Sequence, residues 1–117
     1  HTPLHIAAQE GHNGTATLLL ASGAAVDAAS IDGHTPLHIA AQEGHNGTAT
    51  LLLASGAAVD AASIDGVTPL FLAAAEGHND MVTLLLAHRA AVDAASNAGE
   101  TPLFMAAAEG RNETANI

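Results

Sequence analysis

The chain contains no cysteine, no tryptophan, no tyrosine and no lysine. The first absence removes any disulfide framework, thiolate zinc site or cysteine nucleophile. With only two phenylalanines as aromatics, the core has to be close-set and built from Leu, Ala, Val and Ile. Cations are nearly missing: Arg89 and Arg111 stand against twelve acidic residues, and the formal net charge is −10. Such a surface repels phosphate backbones and anionic lipid, so no nucleic-acid or membrane partner is expected and a basic protein is the natural complement. Acidity of this kind also serves solubility alone. No apolar run approaches ~20 residues and no leader-like pattern opens the chain, which points to a soluble, cytoplasmic or otherwise intracellular protein.

What the chain does have is a period. Residues 1–33 and 34–66 are identical, 67–99 keep the frame with eleven substitutions, and 100–117 begin a fourth copy. We therefore expect a single domain of units 1–33, 34–66, 67–99 and a partial 100–117, belonging to a longer array. Each unit opens with Thr-Pro-Leu, as at Thr35-Pro36-Leu37. The Thr hydroxyl can cap a helix, and proline suits the first helical position, where its missing N–H would have had no partner. Helices are expected from Thr2 to Glu10 and at the equivalent positions, with Gly44 as a left-handed stop. A second helix follows from about Asn46 or Gly47 to Ser55, with Gly56 after it. A helix pair of this size cannot bury its own apolar face, so a 33-residue period implies an all-α solenoid of stacked pairs.

The segments Asp32-Gly33-His34-Thr35-Pro36-Leu37-His38-Ile39-Ala40-Ala41, Glu43-Gly44-His45, Leu51 to Ala57 and Val59-Asp60-Ala61 resemble the ankyrin repeat, and the resemblance covers the whole chain. It implies antiparallel helix pairs with projecting β-turn fingers, and protein binding along a concave surface. It also implies structural roles for His5 and His38, which tie neighbouring units, and for His12, His45 and His78 at the helix junction.

In the third unit His5 and His38 give way to Phe71, and Asp80-Met81-Val82 replaces Gly47-Thr48-Ala49. An acid in the first turn with larger apolar groups behind it should make this second helix the most stable of the three. Arg89 replaces Gly23 and Gly56, where a positive φ is expected, at a cost of about 1 kcal/mol. The start of the fourth unit should be helical, with Asn112 to Ile117 fraying.

Eight histidines invite a metal reading. Equivalent residues of adjacent units should lie roughly 10 Å apart, whereas the ligands of one zinc come within about 2 Å of it. No metal and no cofactor is expected. His1, His34 and His88 look free to be exposed and to titrate. Glu10, Glu43, Glu76 and Glu109, like Asp27, Asp60 and Asp93, form ladders of like environments, whereas an acid–base pair needs unlike ones, so no catalytic residue is expected. Asn13-Gly14-Thr15, Asn46-Gly47-Thr48 and Asn112-Glu113-Thr114 match the glycosylation pattern, and we read them as chance matches at helix starts. The family's finger often carries a hydroxylatable Asn where this chain has Asp27, Asp60 and Asp93, which argues against that modification here.

By the same resemblance, a partner is contacted by Ile31, Asp32, His34, Gln42, Glu43, Ile64, Asp65, Val67, Ala75, Glu76, Asn97, Ala98, Glu100 and Glu109. This strip is acidic with aliphatic spots and lacks the Trp, Tyr and Arg from which interfaces draw much of their energy, so the partner brings the cations and aromatics. The alternative is a structural spacer, or a solenoid that self-stacks head to tail with Leu103, Ala106 and Ile117 against the Leu4 and Ala8 end of the next copy.

Overall fold

A computed structural model describes residues 2–91 and 96–101. Six helices follow in three pairs: α1 (Pro3–Glu10) with α2 (Asn13–Ala21), α3 (Pro36–Glu43) with α4 (Asn46–Ala54), and α5 (Pro69–Glu76) with α6 (Asn79–Ala87). Among the described residues there is no strand. At eight or nine residues, each helix is shorter than the ~12–15 that an isolated helix needs, so stacking rather than propensity holds it.

The first helices start as the Thr-Pro pair dictates. Thr2, Thr35 and Thr68 lie just outside the helix and accept from the backbone N–H three residues on. At Thr2 and Thr35 the following histidine bonds back to the cap residue's own N–H, so two orphan donors are satisfied reciprocally. The helices begin at the proline, with threonine as the cap. They end at glycine: Gly44 takes φ +74°, and a Cβ there would stand 2.8 Å from His78 Nδ1. Only glycine meets both demands. The second helices end at Ala21, Ala54 and Ala87, so Ser55 caps α4 from outside it and Gly56 follows at φ +91°. Arg89 does adopt the left-handed conformation, at φ +67°.

Packing follows from residue size. Ala7 and Ala8, Ala40 and Ala41, Ala73 and Ala74 are buried along the first helices, where small side chains permit close approach. Leu52, Met81 and Leu85 seal the second row. The first helices pack on one another more closely than the second helices do, so the stack is drawn together on the first-helix side. Leu4 and Ala8, expected to present an open end, are buried within the first unit; the exposed apolar groups there are Ile6 and Leu18.

Candidate functional site

Each finger is a turn closed on itself. Gly33 N–H donates to the Ser30 carbonyl (2.9 Å) and Ser30 N–H to the His34 carbonyl (2.9 Å), with the same pattern at Ser63, Gly66 and Val67. Successive tips are then bonded together: Ile64 N–H donates to the Asp32 carbonyl (3.0 Å) and Asn97 N–H to the Asp65 carbonyl (2.7 Å). Asn97 adds a side-chain bond from Nδ2 to the Ile64 carbonyl (2.7 Å). At the finger base Asp27 Oδ1 accepts from Ala58 N–H (3.0 Å) and Asp60 Oδ1 from Ala91 N–H (2.8 Å). These aspartates are structural links between fingers, which leaves the tips as the presented surface.

Four histidine rings, those of His5, His38, His45 and His78, are links as well, whereas the His12 ring, expected to be structural, is exposed and has no partner among the described residues. His38 Nδ1 accepts from Thr35 N–H (3.0 Å) while Nε2 meets the Val67 carbonyl at 2.7 Å. A carbonyl can only accept, so Nε2 carries the proton and the ring is held neutral. Burial is the main cause that lowers its pKa to about 4, and the nearby His34 lowers it further. His5 repeats the arrangement toward the His34 carbonyl (2.7 Å). His45 and His78 reach back across the junction to the Gln9 (3.1 Å) and Gln42 (3.0 Å) carbonyls. His34, expected to be free, is half-buried with its ring 5.0 Å from that of His38, because the identical Thr-Pro-Leu-His frame sets the two rings side by side. His88 is exposed. His1 lies outside the described residues. Among the described residues no three His, Asp or Glu side chains are placed to share a metal ion.

Of the strip residues, Asp32, Gln42, Glu43, Asp65, Glu76, Asn97 and Ala98 are exposed, while His34, Val67, Ala75 and Glu100 are half-buried. Ile31 is 94% and Ile64 66% exposed, well beyond what a packed aliphatic side chain shows. The carbonyls of His34 and Val67 are engaged by His5 and His38, so these two positions join units as well as bordering the strip. Glu109 lies outside the described residues. Among those described, no side chain partners the carboxylates of Asp32, Glu43, Asp65 and Glu76.

Sequence reasoning missed the hollow beside the first unit, about 220 Å³, lined by Thr2, Pro3, Leu4, Leu19, Ala24, Ala25 and Ala28. Identical residues in the second unit meet a neighbour there, and no property of the residues themselves could mark the difference. Among the described residues no helix is long and apolar enough to cross a membrane. A family model described as ankyrin repeats (3 copies) matches residues 1–63 and 47–117. No curated protein matches the chain.

Proposed function

Because the chain belongs to the ankyrin-repeat family, whose repeats are generally protein–protein interaction modules and typically non-catalytic, we propose that it binds a basic protein through its finger tips and first helices. One observation carries this reading: Ile31 and Ile64 project into solvent at bonded tips, each followed by an aspartate that no cation of the described residues neutralises. Covering an isoleucine is worth about 1.5–3 kcal/mol, so two such anchors supply affinity while the acids select sign and speed encounter. Asn97 and Ala98 take the place of the Ile-Asp pair on the third tip, so the strip has a direction.

A second reading, a spacer within a longer polypeptide, is favoured by the identity of residues 1–33 and 34–66. The test is affinity capture from the source lysate at low and high salt, with the parent chain beside one carrying Asp32→Asn, Asp65→Asn, Glu43→Gln and Glu76→Gln. A basic protein retained by the parent alone, and released by salt, supports recognition. Equal capture by both chains, or none, sinks it and leaves the spacer.

A further inference from the structure

Two junctions join the described finger tips, and one residue distinguishes them. At each, a backbone N–H of the later tip donates to the aspartate carbonyl of the earlier one, Ile64 to Asp32 and Asn97 to Asp65. An isoleucine side chain has no donor, whereas the asparagine amide has two. At the second junction Asn97 Nδ2 accordingly donates to the Ile64 carbonyl (2.7 Å), and the side chain lies over Gly66, where its Oδ1 and Cγ are among the atoms nearest a Cβ added there. At the first junction the atoms nearest a Cβ added at Gly33 are all backbone, from Ser63 and Ile64. The Ile64 side chain is 66% exposed instead. Among the described residues the Ile31 carbonyl therefore has no donor, and the carboxylate of the adjoining Asp32 has no partner. Residues 30–33 and 63–66 are identical, so the filled junction shows what the open one can receive: a planar N–H donor laid over the glycine.

We propose that the first junction receives an arginine guanidinium of the partner, with one N–H donated to the Ile31 carbonyl, another to the Asp32 carboxylate, and its face over Gly33. This rests on the reading of the strip as a protein-binding surface, and it names the cation that the strip selects. Two properties favour arginine over lysine. Its donors lie in one fixed plane, as those of the Asn97 amide do, so two acceptors on neighbouring groups are met at once. Guanidinium is also more weakly hydrated than ammonium, so it sits more readily against the exposed Ile64 side chain. The Asp65 carboxylate has equal charge, but the carbonyl before it is already occupied by Asn97. It attracts cations without distinguishing them. Asn97 is thus an internal plug, and its absence from the first junction leaves an arginine position between Ile31 and Ile64.

The test is a nuclear magnetic resonance titration of the whole chain, at neutral pH and low salt, with N-acetylarginine amide and N-acetyllysine amide as probes. Backbone amide shifts of Asp32 and Gly33 should saturate at about threefold lower concentration of the arginine probe than of the lysine probe, while those of Asp65 and Gly66 should respond to both alike. Ile64→Asn, which copies the third tip, should erase the preference at Asp32. Asn97→Ile, which copies the second, should create one at Asp65. Both positions are exposed, and circular dichroism checks that each variant keeps its fold. Arginine and lysine bound alike at Asp32 of the parent, a preference that survives Ile64→Asn, or one already present at Asp65 would overturn the guanidinium site while leaving an acidic strip that attracts cations. Shifts at neither tip with either probe would overturn the site and the basic-partner reading together.

Discussion

The His38 ring is buried, neutral and bonded at both nitrogens, and its pKa is lowered from 6.5 to about 4. Between those values the unfolded chain binds a proton that the folded chain does not, so stability rises with pH through that window. It is fully present above about pH 6.5, lost progressively on acidification, and level again below about pH 4. The shift corresponds to about 3 kcal/mol. Urea unfolding followed from pH 7.5 to 4 should show this loss. In His38→Phe, which copies Phe71, the slope in that window should flatten although stability at pH 7 falls, because the Val67 carbonyl loses its donor. A slope unchanged by the substitution would contradict the assignment. At the other end of the unit, Arg89 holds φ +67° where its counterparts are glycines. Arg89→Gly should raise stability by about 0.5–1 kcal/mol, the relief of left-handed strain less the entropy glycine loses on folding, measured as a shift in the denaturation midpoint.

Helix by helix, equal sequence does not mean equal response. The α2 and α4 helices share the sequence NGTATLLLA, yet α2 buries Ala16 while α4 buries Thr48, Ala49 and Leu52. A Cβ added at Gly14 would meet nothing within 4 Å, whereas one at Gly47 would lie 2.6 Å from Asn13 Nδ2. Gly14→Asp, copying the Asp80 of α6, should therefore stabilise by about 0.5–1 kcal/mol through helix propensity and the helix dipole. Gly47→Asp should gain less or lose, because it displaces the amide that accepts from Thr48. Equal midpoint shifts for the two variants would show that the units do not sense their neighbours. The helices themselves were legible in the sequence, since the Thr cap, the proline and the left-handed glycine are local chemistry that repeats with the period. The shared environment was not: nothing in the letters distinguishes Leu18 from Leu51 or Thr15 from Thr48, because burial belongs to the stack. The candidate strip was legible as a set of positions, but the bonds joining Asp32 to Ile64 and Asp65 to Asn97 needed coordinates to be seen.

For the molecule as a whole, the links between units and the presented surface are separate sets of atoms. Histidine rings, finger-base aspartates and tip carbonyls hold the stack, while the aliphatic side chains and remaining carboxylates of the tips are left for a partner. The reading as a binding module therefore requires that neutralising the strip alter recognition and leave folding intact. Circular dichroism and midpoint of the four-amide variant should match the parent within about 0.5 kcal/mol, as exposed substitutions do. The central claim is tested most directly by hydrogen exchange of the chain with and without the basic protein it retains. The account predicts slowed exchange in segments 30–34, 63–67 and 96–100 and around Gln42 and Glu43, with the outward helix surfaces at Thr17, Thr50 and Thr83 unchanged. A footprint confined to those outward surfaces would contradict it.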